Sequence, residues 1–264
     1  MYDFTYEKPG SLADAVKVLA GDMDAKALAG GQTFIPVLKQ RLNKPSVVVD
    51  LAKLGLSGIT VAADKVTIGA MTTHATIASS PEIKAKIPGL QHQASLIGDE
   101  AVRHRGTMGG SLANNDPAAC YPSALLALGG TIVTDKRRIA ADDFFQGMFT
   151  TALEQGELIV SIELPIPEKS AYEKFRNPAS RYAIVGVFVA KFPAGARLAI
   201  TGASQGGVFR HTAMETALSA NFSPDAIAGI VTPADGLNGD IHASAEYRAH
   251  LIGVVSKRAV AKAV

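Results

Sequence analysis

The chain has 264 residues, 47% of them hydrophobic, and 26 basic against 24 acidic side chains leave a net charge of only +2. That gives room for one large or two modest globular domains, and it excludes the strongly basic surface of a nucleic-acid or membrane-surface protein. One cysteine, Cys120, excludes an intrachain disulfide and a self-contained iron–sulfur cluster, which needs about four cysteine ligands, and it argues against a structural zinc site. No apolar run approaches the roughly 18 residues of a membrane span. Residues 1–7 have neither the basic region nor the apolar core of a signal peptide, so the expected location is cytoplasmic.

Taken in order, residues 2–7 alternate aromatic and polar side chains and predict a short strand. After the Pro9-Gly10 turn, Ser11 is placed to cap a helix in which Leu12, Ala15, Val16, Val18 and Leu19 repeat at near-helical spacing up to Gly21. Residues 25–29 read as a strand running into Gly30-Gly31-Gln32-Thr33, 34–42 as a helix with Pro36 in its first turn, and 46–50 as a Val-rich strand. These alternating short strands and helices predict a small α/β lobe. Residues 59–62 and 66–68 form a hairpin around Asp64-Lys65, and 69–74 lead from it to His74 and a helix opening at 76–79. Helices at 81–87 and 90–97, either side of Pro88-Gly89, precede the second glycine pair, Arg103-His104-Arg105-Gly106-Thr107-Met108-Gly109-Gly110-Ser111. An apolar helix at 122–128 stops at Gly129-Gly130, strands follow at 131–134, 138–140 and 158–164, and Pro165-Ile166-Pro167 marks a boundary.

The last hundred residues read differently. Strands are expected at 170–176, 183–192 and 196–203, the middle one β-branched and apolar enough to be central. Short Pro/Gly turns join them and favour antiparallel pairing, with helices predicted at 212–219, 223–231 and 243–263. Gly202-Ala203-Ser204-Gln205-Gly206-Gly207 matches neither a dinucleotide fingerprint nor a P-loop and is read as a turn.

The two Gly-Gly segments share a grammar: a small apolar strand or residue, paired glycines, then hydroxyl and amide residues. Glycine pairs admit φ > 0 and close backbone approach, and exposed N–H groups in such turns cradle anions. A single such turn is as readily an ordinary connection; two suit a ligand with two phosphates. Ala29-Gly30-Gly31-Gln32-Thr33 and Thr107-Met108-Gly109-Gly110, with Thr67-Ile68-Gly69-Ala70-Met71-Thr72, Asp116-Pro117, Ala171-Tyr172-Glu173-Lys174-Phe175 and Tyr247-Arg248 in the same order, resemble the FAD-binding medium subunits of molybdenum hydroxylases such as carbon monoxide and xanthine dehydrogenases. The likeness spans essentially the whole chain. Met108 replaces the usual isoleucine, and Cys120 stands where many relatives carry an aspartate that helps hold the flavin side of the site. On the residues alone, Cys120 reads as a small buried side chain rather than a nucleophile.

The resemblance implies an α+β fold: a two-lobed FAD-binding domain of the vanillyl-alcohol oxidase (PCMH) type over 1–167, with lobes of about 1–55 and 56–167, then a C-terminal α+β domain over 168–264 with an antiparallel sheet and helices. It implies that the chain carries FAD and passes electrons from two [2Fe–2S] clusters of a small partner subunit to an external acceptor. Substrate is oxidised on a large molybdopterin subunit, and the whole is a dimer of heterotrimers without nucleic acid or a membrane span. The N–H groups of Gly30, Gly31, Gln32 and Thr33 and those around Gly109, Gly110 and Ser111 are expected on the pyrophosphate, with the Thr33 and Thr107 hydroxyls. Ala29 belongs to the same motif, and Leu28 and Ile35 are expected to pack against the cofactor. Asn114 and Asp116 are expected on ribityl or ring polar atoms, and Lys174 at the pyrimidine edge. Tyr182 is expected over one flavin face and His74 beside it; the alternative readings are a histidine bonded to neighbouring backbone, a half-buried strand-end tyrosine and, for Lys174, an exposed strand lysine. A non-catalytic nucleotide-binding or assembly protein on the same fold, or a free-standing FAD oxidoreductase, are the competing functions.

Overall fold

A computed structural model describes residues 1–264. The first lobe is β1 (Thr5–Glu7), α1 (Leu12–Gly21), β2 (Lys26–Leu28), α2 (Phe34–Lys39) and β3 (Val47–Asp50). Its three strands pair in parallel in the order β1-β3-β2. Ser11 caps α1 as its position predicts, accepting from the Asp14 N–H at 3.1 Å. Helix α2 ends three residues earlier than the pattern suggests, because Arg41 takes a left-handed φ of 58° that breaks the turn.

The second lobe holds β4 (Ile59–Val61), β5 (Lys65–Gly69), α3 (His74–Ser79), α4 (Pro81–Lys86), α5 (Pro88–Ser95), α6 (Glu100–Arg103), α7 (Met108–Asn114), α8 (Tyr121–Leu128), β6 (Thr131–Thr134), β7 (Arg138–Ala140), α9 (Ala141–Phe144), β8 (Phe145–Gly147), β9 (Thr150–Thr151) and β10 (Ile159–Pro165). Five of these strands form an antiparallel sheet ordered β4-β5-β10-β6-β7. Short α6 and the β8–β9 hairpin have no periodicity long enough to read from sequence.

The remaining residues give β11 (Lys169–Arg176), β12 (Ala183–Phe192), β13 (Gly195–Thr201), β14 (Phe209–Arg210), α10 (Thr212–Ala220) and α11 (Ala245–Lys262). The sheet is antiparallel throughout, in the order β11-β12-β13-β14, as the short turns predict. The helix expected at 223–231 does not form. Only a single 3₁₀ turn, Pro224–Ile227, is present, since Gly229 and Pro233 oppose continuation.

The two faces of β12 serve different cores. Val185, Val187 and Val189 pack under α10 and α11, while Phe188 and Ala190 join the core of the second lobe. Helix α8 explains the sharing: every residue from Tyr121 to Leu128 is buried, and the helix packs on β12 and β13 as well as on α5 and α7. Gly129, at φ 62°, ends it with a left-handed cap.

Candidate functional site

The first glycine pair lies in the turn from β2 to α2. Gly31 has φ +73°, a conformation that favours glycine. None of the N–H groups of Gly30, Gly31, Gln32 and Thr33 donates to a protein acceptor, whereas the carbonyls of Gly31 and Thr33 already start α2 by accepting from Ile35 and Val37. The turn therefore offers four successive free donors, the arrangement that binds anionic oxygen.

The second pair departs from expectation. Gly109 and Gly110 lie in the first turn of α7, with no positive φ, and their N–H groups are spent. Gly109 N donates to Ala70 O at 2.8 Å, Gly110 N to the capping Thr107 Oγ1 at 3.1 Å, and Ser111 N to Thr107 O at 3.1 Å. These amides are not the second phosphate cradle the sequence suggests, and the Thr107 hydroxyl is a helix cap. The glycines are needed for closeness instead. A Cβ on Gly109 would lie 2.6 Å from the Ala70 Cβ, one on Gly110 3.3 Å from the Ala29 Cβ, and one on Gly30 2.1 Å from the Arg105 carbonyl oxygen. The two motifs are thus interlocked, backbone against backbone.

Beside this seam is a cavity of about 630 Å³, within the usual size of small-molecule sites. Ala29, Gly30, Gly31, Gln32 and Thr33 line it from one side, and Gly109, Gly110, Ser111, Asn114 and Asp116 from the other; His74, Lys174 and Tyr182 complete it. Leu28, Ile35 and Thr107 do not reach it. Leu28 and Ile35 instead cover Gly31, where a Cβ would meet Ile35 Cδ1 at 2.6 Å and Leu28 Cδ1 at 3.3 Å. Met71, within the Thr67–Thr72 motif, also lines the wall, and further wall residues were invisible to motif reading: Val37, Ile97, Leu158 and Arg181, among others, are contributed by the fold rather than by a pattern.

Three side chains on the wall have defined electrostatics. Lys174 Nζ donates to Leu96 O at 2.7 Å and Arg181 O at 3.0 Å and lies 3.6 Å from Cys120 Sγ, so its ammonium is fixed between α5 and the β11–β12 loop. His74 is 5% exposed, its Nδ1 has no partner, and burial, aided by the Arg103 charge, pushes its pKa down to about 4. Tyr182 is 50% exposed, with its pKa raised by partial burial and by the Asp116 and Cys120 charges. Glu157, on the same wall, is held ionised at about 2: burial opposes this, but the Arg137 guanidinium, the Glu154 N–H and the Thr134 hydroxyl outweigh it.

The cradle of free N–H groups, the side-chain-free seam and an orphaned buried imidazole fit a dinucleotide carrying a polar heterocycle. The sequence decides which. Residues 2–167 match the family model described as the FAD binding domain in molybdopterin dehydrogenase. The chain belongs to the FAD-binding medium subunits of the molybdenum hydroxylases. It is 36% identical to the nicotine 6-hydroxylase medium subunit of Paenarthrobacter nicotinovorans, over 98% of this chain and 96% of that one. It is 34% identical to the carbon monoxide dehydrogenase medium chain of Afipia carboxidovorans, with the same coverage. Its fold superposes with a TM-score of 0.89 on reconstituted CO dehydrogenase from Oligotropha carboxidovorans, at 32% identity over 99% of this chain and 97% of that one. The chain is therefore an FAD-binding subunit of the oxidoreductase type, with the α+β architecture the motifs imply.

Proposed function

We propose that this medium subunit carries FAD as an electron relay, receiving electrons from [2Fe–2S] clusters of a small partner subunit and delivering them to an external acceptor. Bound FAD supplies a centre that exchanges electrons singly or in pairs, which is how a one-electron cluster is joined to a two-electron acceptor. A single cysteine cannot build a cluster here, so the clusters, like the molybdopterin, belong to partner chains. The assembly is a cytoplasmic dimer of heterotrimers, and this chain divides into an FAD-binding domain over 1–167, with lobes of about 1–55 and 56–167, and a C-terminal domain over 168–264. The end of the family match at residue 167 and the start of a separate sheet at Lys169 support that division.

Within the chain, the Gly30–Thr33 donors hold the pyrophosphate. Ser111, Asn114 and Asp116 face the polar chain and ring, Tyr182 covers the ring, and neutral His74 presents a hydrogen-bonding nitrogen without a competing charge. Lys174, already fixed by two carbonyls, places a cation where reduction builds negative charge.

The observation that carries this reading is the run of four free N–H groups on the cavity wall. If they anchor the pyrophosphate, FAD binds the assembled, deflavinated enzyme at least a hundredfold more tightly than riboflavin, which has the ring system but no phosphate. Flavin fluorescence quenching gives both constants, and equal affinities would refute the assignment.

A further inference from the structure

Cys120 is the single cysteine of the chain, and its thiol is free. It is 6% exposed and lines the flavin cavity. Its carbonyl accepts from Gln93 Nε2 at 2.9 Å and Ser123 Oγ at 2.8 Å, which fixes the residue at the start of α8. Strand β11 brings two donors to this sulfur. Tyr172 and Lys174 are two residues apart on it and so project from one face. Lys174 Nζ donates to two carbonyls, and its third direction meets Cys120 Sγ at 3.6 Å; no carboxylate pairs with this ammonium. Tyr172 is 1% exposed, and its hydroxyl has no hydrogen-bond partner. Burial, and after it the Cys120 side chain, raise the Tyr172 pKa, so the hydroxyl keeps its proton as a donor. Gly186 on β12 leaves that hydroxyl its room, since a Cβ there would fall 2.5 Å from Oη. A buried donor without an acceptor is costly, and a thiol sulfur is a weak acceptor. An orphaned O–H and an ammonium without a counter-ion, both beside one sulfur, suit an anionic oxygen carried on that sulfur.

We propose that Cys120 is an oxidative modification site: peroxide converts its thiol to a sulfenate, whose oxygen Tyr172 and Lys174 hold on the wall of the flavin cavity. The oxidant is hydrogen peroxide, the product formed when a reduced flavin is reoxidised by dioxygen. The sulfur attacks one peroxide oxygen, the S–O bond forms as the O–O bond breaks, and the departing hydroxide takes the thiol proton and leaves as water. Sulfur loses two electrons and peroxide gains them; the sulfenic acid then releases one proton to solvent. With no second cysteine in the chain, the sulfenate cannot close to an intrachain disulfide and persists until an external thiol reduces it. Its charge answers that of Lys174 and so weakens the cation that favours reduced flavin. This effect on the flavin rests on the electron-relay reading above; the chemistry at sulfur does not.

The full chain has one thiol, so the assay is unambiguous. After exposure to hydrogen peroxide, dimedone, which alkylates sulfenic acids and not thiols, is expected to label Cys120 in the folded parent, read by peptide mass spectrometry. Tyr172→Phe keeps the buried ring and removes only the hydroxyl, and Lys174→Met removes the cation. Each is expected to lower the labelled fraction about tenfold, the worth of a hydrogen bond to a charged group. In the assembled, FAD-loaded complex, Cys120→Asp sets a permanent anion beside Lys174. Relative to Cys120→Ser, it shifts the flavin toward the oxidised form about tenfold, or about 30 mV for a two-electron couple. Peroxide moves the parent's potential the same way and leaves that of Cys120→Ser unchanged. No labelling of the folded parent at millimolar peroxide, or labelling undiminished in both Tyr172→Phe and Lys174→Met, overturns the site. Equal potentials in Cys120→Asp and Cys120→Ser overturn its influence on the flavin. Failure of substrate and partner subunits to bleach the flavin would instead overturn the relay reading, and neither the labelling nor the equilibrium potential depends on turnover.

Discussion

His74 packs its ring 5.2 Å from that of Tyr121, and its Nδ1 finds no acceptor for an added proton. Burial, aided by the nearby Arg103 charge, makes the folded state hold the imidazole neutral down to about pH 4, against 6.5 for the unfolded chain. Between those values the unfolded state binds the extra proton, so stability falls as pH drops from 6.5 toward 4 and is unaffected by this group above that window. The full effect is about 3 kcal/mol on the scale of 1.36 kcal/mol per unit. His74→Gln, which cannot be charged, is expected to flatten the acid limb of a urea-derived stability profile over pH 4–6.5. Parallel profiles for parent and variant would show that the imidazole is not kept neutral by the fold. The sequence pointed to His74 as a neighbour of the cofactor because of its motif, but not to its protonation state. That state comes from distant chain: Gly106 lies so close to the ring that a Cβ there would fall 2.5 Å from Nε2.

Helix α7 shows why the two glycine motifs, alike in sequence, differ in the backbone donors they leave free. Both have paired glycines followed by hydroxyl residues. In the first, Gly31 at φ +73° turns the chain before α2 and leaves its amides free; in the second, the hydroxyl residue precedes the pair and caps the helix itself. A Thr three residues before Gly110 is an N-cap signal that local reading contains, and it outranks the phosphate reading once the helix is recognised. Thr107→Ala is accordingly expected to cost about 1 kcal/mol of stability while the folded protein keeps its full flavin content. Thermal melting and the flavin-to-protein absorbance ratio separate the two. Flavin lost with stability intact would restore the Thr107 hydroxyl as a cofactor ligand. The strands of the last sheet were legible because β-branched runs and short turns specify them locally; α6 and the β8–β9 hairpin were not, because their definition is tertiary. Asn115, for example, at φ 43°, donates its side-chain amide to Gly147 O at 2.7 Å and Thr150 O at 2.9 Å to latch that hairpin.

At the scale of the molecule, the Pro-rich segment at 165–167 reads as a boundary, yet the core runs across it. Tyr172 and Phe188, whose rings lie 6.3 Å apart, together with Ala190 and Ala199, belong to the same cluster as Ile68, Leu112 and Ile162 of the second lobe. The polar contacts cross as well: Thr201 Oγ1 donates toward Ala119 O at 2.6 Å, Arg197 Nε to Leu126 O at 2.9 Å, and Lys174 Nζ to Leu96 O at 2.7 Å. Removing residues 168–264 would leave α8, buried along its whole length, with one apolar flank in water and the carbonyls of Leu96, Ala119 and Leu126 without these partners. An exposed apolar helix face of that kind favours aggregation or a loosely packed state over a smaller native fold. The full chain is therefore expected to unfold as one cooperative unit, with a single calorimetric transition whose van't Hoff and calorimetric enthalpies agree. A fragment of residues 1–167 is expected to bind a hydrophobic dye and to melt without a sharp transition. Two resolved transitions in the full chain, or a fragment that melts cooperatively near the parent's temperature, would show that sequence correctly marked a folding boundary and that the shared core is only a contact between independent units.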